Sequence, residues 1–309
     1  ITNYDDDGYL FRVVPSDAQQ GQALADAYTA SGYTNPAVIA MTNDYGAGFH
    51  AAFLDNWDGD VCVESTYDDD TTDFTAQVAA VAENGCDSVV MVTYASDGAA
   101  IVEEIATQGL GVAIFGGDGI ADVSFGDAFT DINAISGITA TKPASGDASE
   151  LSTLFGVFYE AAATAASFEG GIYTAETFDA IAIIGLAQAT ALRTPSADDG
   201  VKEMLGLAIA SPDSPQEGAS GSHSFDENGD VAGSGFDICT FSVGDDGKAA
   251  LDCHSSWGLF DGLEDNGIPK KVAEPEPEPE PEEEDEVPGF GLLSALAAVG
   301  VALVLRRRL

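Results

Sequence analysis

Basic side chains are scarce in this sequence: ten Lys and Arg stand against 53 Asp and Glu, a formal charge of −43. Only the terminal Arg306-Arg307-Arg308 offers a run able to neutralise phosphates, which excludes nucleic acid as a partner. Histidine is scarcer still. His50, His223 and His254 lie far apart with no partner motif, so the usual general-base arrangements are missing. Gly218-Ala-Ser220-Gly-Ser222 misses the G-x-S-x-G nucleophile elbow by one residue and sits in a polar stretch. Gly116 to Gly119 fails the G-x-G-x-x-G spacing, and no P-loop occurs. These absences argue against an enzyme and against a cofactor. The chain also starts at Ile1 with neither Met nor a charged and apolar leader. For a chain that otherwise reads as exported, the expectation is that an amino-terminal part is missing.

What is present is acid. The run Glu274 to Glu286 holds only nine of the carboxylates, so a tail cannot explain the bias. A surface-wide excess of Asp with little Lys points to adaptation to high salt, where self-repulsion is screened; the competing reading is an acidic exported protein. Four cysteines, Cys62, Cys86, Cys239 and Cys253, make an even count that favours disulfides in an exported chain. Local pairs 62–86 and 239–253 are expected. A metal site adding His223 and His254 to Cys239 and Cys253 lacks any C-x-x-C spacing.

Strand, helix and strand alternate without hairpin signals through the first part of the chain, which indicates a parallel α/β domain. Tyr9 to Val14 reads as a strand, and Ser16-Asp-Ala-Gln19 as a capping box opening a helix to Gly32. Strand Ala37–Met41, a helix from about Gly48 to Trp57 and strand Val61–Val63 follow, then a helix with Phe74, Val78 and Val81 on one face. The apolar Ser88-Val-Val-Met-Val-Thr-Tyr94, a helix from Asp97 to Gln108 and Val112–Phe115 complete the alternation. Tyr94 and Asp118 then stand at the carboxyl ends of neighbouring strands, the edge where open parallel sheets bind ligands. After a strand at Ile135–Pro143 come two Ala- and aromatic-rich helical stretches, Leu151–Phe168 and Ala175–Leu192, and a third from Asp198 to Ile209. Two consecutive helices suggest passage into a neighbouring domain. Phe225-Asp-Glu-Asn-Gly229-Asp230 reads as a turn, since Asp226, Asn228 and Asp230 lack EF-hand spacing. Strands are expected at Phe236–Val243 and Ala249–Cys253.

Glu274 to Glu286, with its alternating Glu-Pro, is a self-repelling extended spacer. Phe290 to Leu305 is apolar and long enough for a thin bilayer, and the arginines after it should stay inside. The acidic body is then outside, tethered by a stalk.

Several motifs occur in order: Phe11-Arg-Val-Val-Pro15-Ser-Asp17 with Gln20-Gly21, Asn43-Asp-Tyr45-Gly46, Thr72-Asp73-Phe74, Gly116-Gly-Asp118-Gly119 and Phe225-Asp with Asn228-Gly-Asp230. Together they resemble the branched-chain amino-acid-binding proteins of ABC importers, the type I periplasmic binding-protein fold, over residues 1 to about 262. The resemblance implies two Rossmann-like α/β lobes closing over a ligand, here a fragment without the first half of lobe I. Residues 1–14 would end lobe I, 15–134 form lobe II, 135–205 return to lobe I, and 206–262 cross back to end lobe II. The stalk would be 263–287, and 288–309 the terminal segment. Pro288-Gly289-Phe290, the apolar span and the arginines resemble the archaeal PGF sorting signal, which implies an archaeosortase and a lipid anchor on the extracellular face of the membrane.

The family places a tyrosine after the Asn-Asp-Tyr-Gly strand, a second after the next strand and an acid in the glycine-rich turn. These match Tyr45, Tyr94 and Asp118. A carboxylate and phenols suit an α-ammonium group. Asp118 stands where the best-known members carry Glu. The alternatives are a simple turn at Asp118, a sheet-capping Tyr94 and a structural Tyr45; Thr72 and Asp73 read as helix caps. The expected protein captures leucine-like amino acids for an importer permease. A sensor of amides, urea or other amino acids that signals through a partner is the alternative, and a surface-layer structural protein is a third.

Overall fold

The computed structural model describes residues 5, 7, 9–144, 150–168, 170–191, 216–231 and 235–272. Its first half alternates helix and strand, and each boundary has a local cause. Ser16 caps α1 (Asp17–Ser31) by accepting from the Gln19 amide, and Gly32 ends it with φ 81°. β1 (Pro36–Met41), α2 (Asp44–Asn56), β2 (Val63–Tyr67) and α3 (Thr75–Glu83) follow, then β3 (Ser88–Val92), α4 (Ala95–Thr107) and β4 (Ala113–Gly116). Three 3-10 segments, Asp118–Ile120, Val123–Ala128 and Ile132–Ile135, lead to β5 (Thr139–Pro143). Helices α5 (Glu150–Ala166) and α6 (Thr174–Ala191) come next. A short hairpin, β6 (Gln216–Glu217) with β7 (Ser222–His223), precedes β8 (Phe236–Val243), β9 (Ala249–Gly258) and β10 (Gly262–Glu264).

One eight-stranded sheet has the order β10-β9-β8-β5-β4-β3-β1-β2. The strands from β2 to β5 pair in parallel, whereas β8, β9 and β10 join antiparallel. Every residue of β1 and β3 is buried, because helices cover both faces. The two-residue period sorts them. Val38, Ala40, Val90 and Val92 pack with Leu24, Tyr28, Phe49 and Phe53 of α1 and α2. Ala37, Ile39, Val89 and Met91 face the other way, onto Val78, Val81, Ile101 and Ile105 of α3 and α4.

Both local disulfides form, Cys62–Cys86 and Cys239–Cys253, the latter joining paired strands β8 and β9. Each closes a short loop and contributes about 2–4 kcal/mol by restricting the unfolded chain.

Several expectations change. Tyr9 to Val14 is not a strand among the described residues; Arg12 bridges to Asp230, beside a side-chain ion pair of 2.6 Å. α2 begins at Asp44 instead of Gly48, because the Asn43 side chain accepts from the Gly46 amide. β2 lies later than Val61–Val63, at Val63–Tyr67. β5 starts at Thr139 rather than Ile135 and belongs to the main sheet, between β4 and β8. The chain also stays on the body past 263. β10 pairs with β9, Ile268 is buried, and Lys271 bonds Asp87. The expected helix from Asp198 to Ile209, the Glu-Pro run and the apolar span Phe290–Leu305 lie outside the described residues. Among the described residues no helix is long and apolar enough to cross a membrane.

Candidate functional site

Neighbouring strands β1, β3 and β4 end side by side, and each delivers one of the expected residues just beyond its carboxyl end. Tyr45 lies in the first turn of α2, Tyr94 is the N-cap residue of α4, and Asp118 opens the 3-10 segment after β4. The structure brings all three together. The Tyr45 hydroxyl donates to Asp118 Oδ1 at 3.0 Å and accepts from the Gly119 amide at 3.2 Å. The Tyr94 ring stacks on Tyr45, with centroids 5.3 Å apart and planes 12° from parallel, while Tyr94 remains 47% exposed.

The glycines around Asp118 are set by close approach rather than by turn conformation. A Cβ at Gly119 would lie 2.3 Å from the Thr93 carbonyl oxygen, and one at Gly117 2.0 Å from the Phe49 ring. The backbone on either side of Asp118 is therefore packed against Thr93, just beyond β3, and Phe49 of α2. Burial, and then the Asp118 charge, push the Tyr45 phenol well above its ordinary value, so Tyr45 stays a proton donor.

A fourth residue, which the sequence did not single out, closes the arrangement. Tyr173, just ahead of α6, donates its hydroxyl to Asp118 Oδ2. Burial and the Asp118 charge raise its pKa as well. Asp118 thus accepts from two phenols reaching it from opposite sides of the chain fold. A cavity of about 390 Å³ opens there, lined by Asp118, Asp122, Ser124, Tyr173, Thr174 and Thr177. A larger cleft of about 1510 Å³ runs between the 3-10 segments, the end of α5 and the β8–β9 turn. Asp118 does not line that cleft. The smaller cavity has the volume of a single small ligand and contains the carboxylate, which makes it the better candidate.

A second polar cluster gathers Asp179, Ser220 and His223. Buried Asp179 of α6 accepts from the Ala219 and Ser220 amides at 2.7 Å, from Ser220 Oγ at 2.6 Å and from His223 Nε2 at 2.9 Å. A carboxylate only accepts, so Nε2 carries the proton and cannot act as a base toward Ser220. Burial pushes Asp179 upward, but the bonds from Ser220, His223 and the two amides outweigh it and hold the pKa below the ordinary carboxylate value. The cluster clamps the β6–β7 hairpin to α6. The sequence carried one sign of it: an Asp inside the apolar run Phe178-Asp-Ala-Ile-Ala-Ile-Ile184.

Two further motif residues accept from nearby amides. Asp73 accepts from the Thr75 amide at the start of α3. Asp226 accepts from the Asn228 and Asp230 amides, closing its own turn. Among the described residues no group of His, Cys, Asp and Glu is placed to hold a metal.

A parallel sheet with a polar constellation at its carboxyl edge defines a ligand-binding α/β domain of the type I periplasmic binding-protein class. More particularly, the chain belongs to the family described as the receptor family ligand binding region, whose profile matches residues 5–243. Three solved structures share the fold. A leucine-binding protein from Thermotoga maritima is 22% identical, with TM-score 0.66 over 79% of this chain and 67% of that one. A branched-chain amino acid transporter substrate-binding protein from Streptococcus pneumoniae, in complex with isoleucine, is 20% identical, with TM-score 0.63 over 79% and 67%. An ABC transporter solute-binding protein from R. palustris, in complex with benzoate, is 18% identical, with TM-score 0.62 over 85% and 68%. The chain spans about two thirds of the length of these structures. No curated protein matches it in sequence.

Proposed function

We propose that this chain is an extracellular solute receptor that captures leucine-like amino acids and delivers them to an ABC importer, without catalysing a reaction. One observation carries the reading: Asp118 is held by Tyr45 and Tyr173 at the carboxyl edge of the parallel strands, with the partly exposed ring of Tyr94 stacked on Tyr45. A carboxylate so held is a fixed acceptor for an ammonium group, and a charge-assisted hydrogen bond there contributes about 1.5–3 kcal/mol. Tyr94 supplies an apolar wall and a cation–π face. The solved structures that bind leucine and isoleucine support the class of ligand. Benzoate, found in another, carries a negative charge that Asp118 would repel.

The rest of the proposal follows the two-lobe plan. Residues 15–134 form most of lobe II, and α5 and α6 belong to lobe I. The apolar outer sides of those helices, including Val157, Phe158, Ile181 and Ile184, suit the layer a lobe I sheet would cover. Closure of one lobe on the other would then trap the ligand. The Glu-Pro stalk and the terminal segment would hold the body outside the membrane, with archaeosortase processing, and the acidic surface would suit high salt.

The test is a thermal-shift screen of amino acids, amides and benzoate on the full-length chain in molar salt. L-Leucine or a close relative should raise the midpoint by mass action. Asp118→Ala should abolish that response, and the variant should still unfold cooperatively. A folded wild type that answers only to benzoate or urea would replace the ligand class.

A further inference from the structure

Helix α1 has no basic residue in its last turn, so its carboxyl end lacks the cation that the helix dipole favours. The missing groups arrive from far along the chain. Lys270 Nζ donates to the Ala30 carbonyl at 2.7 Å, and the Lys271 amide donates to the Ser31 carbonyl at 2.8 Å. Two carbonyls that a helix end leaves without partners are thereby satisfied. Lys271 Nζ also donates to Asp87 Oδ2 at 2.8 Å and stands 5.7 Å from the centre of the Tyr33 ring. Burial pushes Asp87 upward, but the bonds from Lys271, Ser88 and the Thr34 and Asn35 amides outweigh it and hold its pKa below the ordinary carboxylate value.

The approach to α1 is built as well. After β10, Asp265 Oδ1 accepts from the Gly267 and Ile268 amides at 3.2 and 3.0 Å, and the Asn266 amide donates to Ser255 Oγ at 2.9 Å. This turn buries Ile268 among Ala23 and Ala27 of α1 and Phe236, Ile238 and Trp257 of β8 and β9. The two lysine side chains are roughly half exposed, so their ion pairs alone add little. A buried Ile and two satisfied carbonyls are what hold the segment down.

We propose that residues 265–271 are a strap that clamps α1 onto β8 and β9 and roots the following chain at the amino edge of the sheet. Ser31 precedes β1 and Asp87 precedes β3, so the root lies at the end of those strands opposite Tyr45 and Tyr94. A pull on the acidic run from Glu274 then loads Ile268 and the end of α1 before it reaches the site. The strap stands apart from the receptor reading, which uses the other edge.

The experiment combines hydrogen exchange, thermal unfolding and L-leucine calorimetry on the full chain in molar salt. Wild type is compared with Ile268→Asp and with the double variant Lys270→Met, Lys271→Met. In wild type the Ile268 and Lys271 amides should exchange about tenfold or more slowly than unprotected peptide. Ile268→Asp should abolish that protection, and residues 28–33 should lose more of theirs than residues 90–94. Its midpoint should drop by about 5 °C. The lysine variant should show the same pattern at smaller amplitude. Leucine affinity should stay within about twofold in both, because the site is at the other edge. A strap that exchanges freely in wild type, or an α1 end whose protection survives Ile268→Asp, overturns the assignment. Leucine affinity that falls in step with the midpoint would overturn the separation of root and site. If wild type binds no amine, the receptor reading falls, and the exchange pattern still decides for or against the strap.

Discussion

The sheet with α1 to α4 and the helix pair α5–α6 are held by different means. In the first region Leu24, Phe53, Val90 and Ile101 are 0% exposed, and strand and helix lock each other by interdigitation. In the second, α5 has no buried residue, Phe158 is 71% exposed, and Ile181 of α6 is 68% exposed. A thin apolar seam of Ile183 and Ala187 on Phe225 and Val231 attaches α6 to the body. Beyond it the attachments are polar: Asp179 to the β6–β7 hairpin, and Tyr173 to Asp118. The first region is held by non-directional burial. The second depends on a few directional bonds.

The contrast breaks most visibly at Asp179. Replacing it with Ala strands two amides, Ser220 and a 3% exposed His223 without their shared acceptor. The expected loss is about 3–5 kcal/mol, confined to the α6 side. Hydrogen exchange should show faster exchange for α6 and residues 217–223, and unchanged protection in β1, β3 and α4. The pH dependence has a definite sign. Because Asp179 is held below its ordinary value, its contribution is complete above that value and disappears as pH falls through the native-state titration. Wild type and Asp179→Ala should therefore converge in acid. Equal stabilities at neutral pH would show that the clamp adds nothing.

A smaller effect sharpens the same comparison. Leu24→Ala empties a fully buried position between α1 and the sheet and should cost about 3 kcal/mol in denaturant unfolding. Phe158→Ala removes more atoms from an exposed site and should stay within about 0.5 kcal/mol. If Phe158→Ala costs as much as Leu24→Ala, the outer side of α5 is covered in the protein as it exists in solution, and the two regions are more alike than they look.

The first region was also the more legible in sequence. α1 announced itself through Ser16, Gln19 and Gly32, and β3 through an unbroken apolar run, because these signals act within a few residues. Tyr94 and Asp118 could be placed together, since strand ends in a parallel sheet are brought to one edge by topology, whereas Tyr45 rested on the family resemblance. Errors arose where a local pattern had two outcomes. Asn43-Asp-Tyr45-Gly46 read as a loop, while in the structure Asn43 is a cap and α2 begins there. Tyr9 to Val14 has the composition of a strand, but Arg12 is committed to Asp230 and the segment finds no ladder. Tyr173 and Asp179 escaped entirely. Their partners are 55 and 44 residues away, and no periodicity encodes a contact made by tertiary folding.

The smallest expected effect tests the hydrogen bond from Tyr173 to Asp118, which joins the second region to the sheet edge. Tyr173→Phe keeps the ring and deletes only the hydroxyl that donates to Asp118 Oδ2. Burial and the Asp118 charge keep that phenol protonated, so the bond exists at every working pH and its loss should be independent of pH through neutrality. Asp118 retains Tyr45 on its other oxygen, which limits the cost to about 1 kcal/mol, and Tyr94 and β4 should not move. The consequence for binding has the opposite sign. With one donor removed from the carboxylate, the ammonium of L-leucine meets less competition, so affinity should hold or rise slightly while the ligand-free midpoint falls. Calorimetry and thermal unfolding on the same sample separate the two. A parallel loss of affinity and stability would mean that Tyr173 contacts the ligand itself, and the bond to Asp118 would then be a stage in closure, where the second region meets the first only when the site is filled.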